Sequence, residues 1–284
     1  MSRPDKVTVA DVRASFNKKV VNHFSVRWFG RPIANLMTPM FYNSGWTADG
    51  VTVLRVLLAF VALGLLMSPW TYGPHAAGLL SVLCFIFDCL DGNLSRLHNN
   101  ATFFGKFIDG IGDMVFLVLA PLATGIGIWL NGGDEIYLLL GGLVCCGALT
   151  SQFFRVRIMF FEEWMVRMSG PITDEEQARM APANKVHGLL AQGWIFITLF
   201  APLLLLLPNG PVIFLLTLTA TQLPIDFAWT GVLTWKASRM LRRWRRSVHA
   251  APAAPAQEQT PATDSGKPES EADVAKSAAG ATGA

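Results

Sequence analysis

Six long apolar segments constrain the fold of this chain more than any other feature of its sequence. Each is close to the roughly 20 residues that a helix needs to cross a hydrocarbon core about 30 Å thick. Charged residues make up 15% of the chain, whereas soluble domains carry about 25%. The sequence therefore predicts an all-α, polytopic membrane protein with six transmembrane helices. The apolar segments cover approximately residues 49–67, 74–97, 105–130, 135–160, 187–207 and 211–237.

The distribution of Lys and Arg among the connections predicts the orientation of the chain. The connections after the first, third and fifth segments (68–73, 131–134 and 208–210) contain no Lys or Arg. Basic residues collect instead in the N-terminal region, around Arg96 and Lys106, over residues 155–185 and after Lys236. Positive residues mark the cytoplasmic side of a membrane. We therefore expect both termini and both longer loops to face the cytoplasm, in a bacterial plasma membrane.

The chain divides into three parts. Residues 1–47 form a cytoplasmic N-terminus in which aromatic and basic residues alternate, which predicts an amphipathic helix at the membrane interface. Pro32 and Pro39 are expected to bend or break this helix. Residues 48–240 form the six-helix catalytic domain. Residues 241–284 begin with a basic segment suited to anionic headgroups and end in a tail without apolar periodicity, which we expect to be disordered.

Two pairs of aspartates lie at the cytoplasmic ends of the second and third apolar segments. Asp88 and Asp91 are three residues apart, and Asp109 and Asp113 are four apart, so each pair shares one helical face. A short connection makes the two helices antiparallel neighbours, and all four carboxylates can converge. Charged groups inside a membrane are costly, by about 2.5–3.5 kcal/mol for an Asp on insertion scales. Hard divalent cations with oxygen ligands would offset this cost, and Mg²⁺ or Mn²⁺ would also bind a diphosphate.

Three further residues within this pattern favour a phosphate-bearing substrate. Gly92 and Gly105 have no side chain, so backbone and substrate can approach closely at both positions. Arg96 places a fixed positive charge beside the carboxylates, which suits a phosphate group.

Three alternative roles are also compatible with four clustered aspartates. The carboxylates could form ion pairs with Arg96, Lys106 and other basic groups, although few such groups lie at that depth. A membrane-embedded polyprenyl transferase also uses Asp clusters and Mg²⁺ on diphosphates, but its clusters lie on well-separated helices. An ion-coupled transporter would place its carboxylates on broken helices near the midplane, whereas these lie at the membrane edge.

The complete pattern resembles the signature of the CDP-alcohol phosphotransferase family, D-x2-D-G-x2-A-R-x8-G-x3-D-x3-D. Every acidic, glycine and arginine position from Asp88 to Asp113 is filled at the family's spacing, and Ser95 replaces the usual Ala. The segment 47–52, TADGVT, is similar to the T-P-N-x-hydrophobic-T sequence that begins the family's first span. Asp49 is expected to cap that helix. The resemblance covers about residues 10–240.

The resemblance implies a function for individual residues. Asp88, Asp91, Asp109 and Asp113 would hold two divalent cations, Mg²⁺ or Mn²⁺, and Asp113 would also be the general base. The CDP group of the donor would lie against Gly92, Arg96, Gly105 and Thr52. Candidate acceptor-binding residues are Arg155, Arg157 and Lys185.

The resemblance also implies the reaction and the partners. An alcohol attacks the phosphorus of a CDP-linked donor, and CMP leaves. We favour CDP-diacylglycerol as donor and a small alcohol as acceptor, in phospholipid biosynthesis. The alternative is transfer of a CDP-linked head group to a lipid or other alcohol. We also expect contact with membrane lipids and a homodimer, and no nucleic-acid partner.

Overall fold

The computed structural model describes residues 6–16, 26–99, 102–169 and 174–250. Within these ranges every regular element is helical, with a π-helical turn at Val26–Gly30 and a 3-10 helix at Ala201–Leu206. The α-helices are α1 (Val9–Ala14), α2 (Arg31–Asn43), α3 (Ala48–Met67), α4 (Gly73–His98), α5 (Phe103–Leu130), α6 (Glu135–Ser169), α7 (Asp174–Phe200) and α8 (Gly210–Ala250).

Six of these helices, α3 to α8, are long and apolar enough to cross a membrane. This confirms the predicted all-α fold with six spans. Three helices extend well beyond the apolar segments: α6 continues to Ser169, α7 begins at Asp174 and α8 continues to Ala250. The bilayer thickness limits the length of an apolar segment, but helical hydrogen bonding continues into water until a residue breaks it.

The surface of α3 shows that the bundle is built for an apolar solvent. Leu57, Phe60 and Val61 expose 58%, 52% and 52% of their surface, while Thr52 and Arg55 of the same helix are buried. Polar groups therefore face the interior and large apolar groups face outward, as expected for a helix surrounded by lipid.

Small residues allow the central helices to pack closely. Helix α3 packs against both α4 and α5, and α5 also packs against α6. Ala59 and Ala62 of α3 and Ala120 of α5 are buried in one shared apolar cluster. Small side chains let helix backbones approach, which is the usual way in which membrane helices gain van der Waals contact.

The predicted interfacial helix is described from Val26 onward, where a π-helical turn leads directly into α2. Residues 17–25 of that segment lie outside the described part of the chain. Helix α2 begins next to Pro32, as expected for a proline in a first turn. The predicted break at Pro39 was wrong, because α2 continues through it to Asn43. The neighbouring Thr38 is fully buried and bonds to the Ala34 carbonyl, so packing holds this turn in place.

The N-terminal residues 6–16 are held against α2. The Asn43 side chain accepts a hydrogen bond from the Val7 amide (2.9 Å) and donates one to the Val7 carbonyl (3.2 Å). Thr8 and Asp11 form a capping box at the start of α1, and the Thr8 hydroxyl and amide lower the pKa of the Asp11 carboxyl. Val12 is fully buried. This segment is therefore part of the folded domain.

The topology can be tested by cysteine labelling of intact cells, in a background that lacks the four native cysteines. We expect Thr71→Cys, in the exposed α3–α4 connection, to react with a membrane-impermeant maleimide. Arg167→Cys, on the exposed last turn of α6, should react only after permeabilisation. Labelling of Arg167→Cys but not of Thr71→Cys in intact cells would show that the orientation is the reverse of the predicted one.

Candidate metal and phosphate site

Three of the four predicted carboxylates, two on α4 and one on α5, converge beside α3, which packs against both helices. One oxygen from each of Asp88, Asp91 and Asp109 lies within 4.8 Å of the others. Asp91 is buried, while the side chains of Asp88 and Asp109 are 39% and 43% exposed, so the cluster is open on one side. The backbone of Asp113 lies one helical turn beyond Asp109 on α5, and its side chain lies outside the described part of the structure.

Arg55 on α3 joins this cluster, and the sequence analysis did not anticipate it. One Nη atom donates to Asp88, and the other donates to the Asp109 carboxylate (2.7 Å) and to the Asp109 carbonyl (3.0 Å). Arg55 is only 4% exposed. A single guanidinium therefore connects three helices through two carboxylates.

The sequence contained a signal for Arg55. It is the only charged residue in α3 apart from Asp49 at the helix start. An ionisable residue inside a membrane span generally faces the bundle interior and has a partner of opposite charge. A search of the first span for a residue of opposite charge to the aspartates would have identified Arg55.

Thr52, predicted on the nucleotide side, lies directly against the third carboxylate. Its hydroxyl is 2.8 Å from an oxygen of Asp91 and 3.1 Å from the Ala48 carbonyl, with Thr52 as the donor in both cases. Both Thr52 and Asp91 are buried. Helix α3 therefore contacts all three converging carboxylates.

The helix caps near the site correct the prediction for Asp49. Thr47 caps α3 by accepting from the Gly50 amide (3.1 Å). Asp49 lies within the first turn, and its carboxylate accepts the Thr102 hydroxyl at 2.9 and 3.0 Å. Thr47 is the residue before the helix, and its backbone has the extended conformation that is typical of a cap residue. Asp49 is left free to link α3 to the start of α5.

Two glycines of α5 allow α3 to approach closely. A Cβ atom added to Gly105 would collide with the Asp49 carboxylate and would lie 2.9 Å from the Thr102 hydroxyl. A Cβ atom added to Gly112 would lie 3.0 Å from an Nη atom of Arg55. The signature glycine at position 105 is therefore needed for contact between helices, whatever its contribution to substrate binding.

Arg96 is held by a buried polar network that the sequence analysis also missed. It donates to the Asn93 side chain (2.7 Å). Asn93 is 1% exposed, and its amide donates to Asn35 (3.0 Å) and Thr38 (2.9 Å) of α2. This network connects α2 to the helix that carries the first aspartate pair.

The Arg96 side chain also meets the N-terminal segment. Its guanidinium carbon lies 5.1 Å from the centre of the Phe16 ring, and that of Arg31 lies 4.9 Å from the same ring. Both separations are within the range of cation–π attraction. Gly92, the remaining predicted CDP-binding residue, is next to this arginine, since an added Cβ would lie 3.6 Å from an Nη atom of Arg96.

The three predicted acceptor-binding residues lie in different surroundings. The Arg155 guanidinium packs 5.9 Å from the Trp229 ring centre, and that of Arg157 packs 5.3 Å from Phe153. Lys185 is exposed. The two arginines therefore point away from each other, as their spacing of two residues on a helix predicts.

A second intramembrane carboxylate lies apart from the signature residues. Asp226 on α8 is 1% exposed, and its carboxylate accepts the Ser151 hydroxyl of α6 at 2.7 Å. This hydrogen bond ties the two longest helices together.

The donor atoms of the cluster suit a hard divalent cation. Three carboxylates offer oxygen ligands within a few ångströms of one another, and oxygen ligands are those that Mg²⁺ and Mn²⁺ prefer. The open side of the cluster leaves access for a substrate phosphate. These residues therefore fit a metal and phosphate site.

Comparison with known proteins identifies one family. The sequence model of the CDP-alcohol phosphatidyltransferase family matches residues 46–235. The chain is also similar to a CDP-diacylglycerol--glycerol-3-phosphate 3-phosphatidyltransferase from Escherichia coli (strain K12), with 34% identity over 70 residues. The proteins of that name from E. coli O157:H7 and Shigella boydii serotype 4 match equally. Each match covers 25% of this chain and 38% of the relative.

The contacts of Gly105 predict opposite effects for two alanine substitutions on α5. Gly105→Ala should destabilise the protein by about 1–3 kcal/mol, the usual range for overpacking. Gly110→Ala is the matched control, because no atom lies within 4 Å of its added Cβ, and removing a helical glycine stabilises by about 0.5–1 kcal/mol. Thermal unfolding in detergent would measure both. Equal melting temperatures for the two variants would contradict the close contact with Asp49.

Proposed function

The chain belongs to the CDP-alcohol phosphatidyltransferase family, and we propose that it transfers a substituted phosphoryl group from a CDP-linked donor to an alcohol, releasing CMP. The observation that carries this proposal is the convergence of Asp88, Asp91 and Asp109. They lie at one end of a bundle whose helices can cross a membrane. Such a cluster can bind a diphosphate through divalent cations while the apolar part of a lipid substrate remains in the bilayer.

The proposed cofactor is a pair of divalent cations, Mg²⁺ or Mn²⁺, held by the three converging carboxylates and by Asp113. When bound, the cations would neutralise charge on the phosphoryl oxygens and on the departing CMP. Arg55 and Thr52 keep the carboxylates in position, because they bond to Asp88, Asp91 and Asp109.

Asp113 is the proposed general base. It follows Asp109 by one turn of α5, so it lies deeper along the same helix. In the proposed reaction the Asp113 carboxylate takes the proton of the acceptor hydroxyl. The hydroxyl oxygen forms a bond to phosphorus, and the bond from phosphorus to the CMP oxygen breaks. The remaining requirement is the positioning of the two reactants.

The donor and the acceptor would meet different sets of residues around the cluster. Gly92, Arg96, Gly105 and Thr52 would face the CDP group, where Arg96 offers a positive charge fixed by Asn93. On the acceptor side, Arg155, Arg157 and Lys185 would attract an anionic alcohol. Arg155 is the best placed of the three, because it is partly buried against Trp229, whereas Arg157 and Lys185 are exposed.

We favour CDP-diacylglycerol as donor and a small phosphorylated alcohol as acceptor. The name of the similar E. coli protein supports this choice, because that protein is a glycerol-3-phosphate phosphatidyltransferase. The basic residues of α6 and α7 also suit a phosphorylated acceptor. The enzyme would lie in a bacterial plasma membrane as a homodimer, with its active site open to the cytoplasm and to membrane lipids.

A product assay tests the proposed reaction. Purified protein should release CMP from CDP-diacylglycerol in the presence of Mg²⁺ or Mn²⁺ and an acceptor, with glycerol 3-phosphate first in a panel of alcohols. Excess EDTA should abolish the release, and undiminished turnover in EDTA would exclude the metal mechanism. Turnover only with a CDP-linked head group and a lipid alcohol would establish the alternative direction of transfer.

Two substitutions separate metal binding from proton transfer. Asp91→Asn removes a charge and a ligand, so high Mg²⁺ should restore part of the lost turnover. Asp113→Asn keeps the shape but cannot accept a proton, and general-base catalysis commonly contributes about 10²–10⁴-fold. The turnover of Asp113→Asn should therefore fall by about 10²–10⁴-fold. Its affinity for the donor should be nearly unchanged, and added metal should not restore its turnover.

Turnover across a metal titration, together with donor affinity at saturating metal, decides between these roles. Recovery of Asp113→Asn to the same extent as Asp91→Asn would make Asp113 mainly a ligand.

A further inference from the structure

We infer that Arg55 is an internal cation that occupies the carboxylate cluster when no donor is bound and competes with divalent metal for the same oxygens. The inference rests on the proposed metal site and concerns how that site is loaded. Its starting point is the position of the guanidinium, which bonds to Asp88 and Asp109 from two different helices. These are two of the three carboxylates that could hold a cation.

The bridge explains how the carboxylates stay together without metal. Like charges repel strongly at such short distances inside a protein. Arg55 is 4% exposed, so water screens its charge little, and its two Nη atoms match two separate carboxylates. A lysine has a single ammonium group and could not form the same planar fork. Arg55 therefore preorganises the site.

The same contacts make Arg55 a competitor of metal. The guanidinium uses one oxygen of Asp88 and one of Asp109. Its positive charge also repels any cation that binds beside it. The four signature aspartates carry four negative charges, which two divalent cations would balance by themselves. With Arg55 included, a fully loaded site carries a net positive charge until an anionic diphosphate enters. Metal and donor should consequently bind together.

A small cavity adjoins the guanidinium. About 80 Å³ of empty space adjoins the cluster and is lined by Arg55, Asp88, Ser81, Gly112 and Thr198, among others. The hydroxyl groups of Ser81 and Thr198 are groups that can accept hydrogen bonds. Gly112 keeps this space open, since an added Cβ would lie 3.0 Å from the guanidinium.

Metal binding to the purified, donor-free protein tests this role. Free Mn²⁺ would be measured by electron paramagnetic resonance for the wild type, Arg55→Gln and Arg55→Lys. We expect Arg55→Gln to bind Mn²⁺ at least about tenfold more tightly than the wild type, because it lacks the adjacent positive charge. Arg55→Lys keeps the charge and should bind Mn²⁺ with nearly wild-type affinity.

Thermal unfolding in EDTA and in saturating Mn²⁺ gives a second measurement. Both Arg55 variants should melt below the wild type in EDTA, because the bridge between α4 and α5 is lost. Mn²⁺ should restore much of the difference, because it replaces the bridge. Lys236→Gln is the matched control, since it also breaks an ion pair between a largely buried cation and a partly exposed carboxylate, that of Glu162 at 3.0 Å. It should lower the melting temperature equally in EDTA and Mn²⁺ and leave Mn²⁺ affinity unchanged.

The outcomes distinguish this inference from the proposed function. Mn²⁺ binding by the wild type with equal or weaker binding by Arg55→Gln would overturn the inference alone. The absence of Mn²⁺ binding in every variant would reject the metal site itself. If Arg55→Gln does not fold, Arg55→Lys decides: a wild-type melting temperature in EDTA would overturn the role of the bridge.

Discussion

The pairing of one buried arginine with two aspartates organises the end of this bundle that carries the aspartate cluster. Breaking a buried ion pair by removing one partner typically costs about 3–5 kcal/mol, since the other charge is left uncompensated. Here the cost would fall on three helices at once, because Arg55 lies on α3, Asp88 on α4 and Asp109 on α5. Two further polar contacts come from the same helix as Arg55. Thr52 reaches Asp91, and Asp49 reaches Thr102, from the same end of α3.

A second polar connection extends this organisation to α2. Asn93 bonds to Asn35 and Thr38 on α2 and to Arg96 on its own helix. Because Asn93 lies inside the signature, between Gly92 and Arg96, the position of α2 is tied directly to the position of the arginine charge. Helix α2 therefore forms part of the scaffold of the site.

Much of this architecture could be predicted because it follows from local patterns. The lengths of apolar segments identified the six spans, and the aspartate spacing predicted that carboxylates of α4 and α5 converge. The two helices come together through α3, which packs against both, and not by the direct packing that was predicted. The sequence analysis missed Arg55 and Asn93 because their partners lie 33 and 55 or more residues away. A break at Pro39 and a cap at Asp49 were also not found. At both positions a tertiary contact or a better-placed neighbour outweighed the local preference of the residue.

The position of Arg55 also has a consequence for biogenesis. During synthesis α3 enters the bilayer before α4 and α5 exist, so its arginine must partition into lipid without Asp88 or Asp109. An arginine at a helix centre costs about 2.5–3.5 kcal/mol in translocon-mediated insertion, and Arg55, which lies nearer the start of α3 than its centre, should cost less. Helix α3 has the highest mean hydropathy of the six spans, 2.3, and its leucines, valines and alanines can offset that cost. The apolar composition of α3 therefore also favours its insertion before the aspartates that pair with Arg55 have been synthesised.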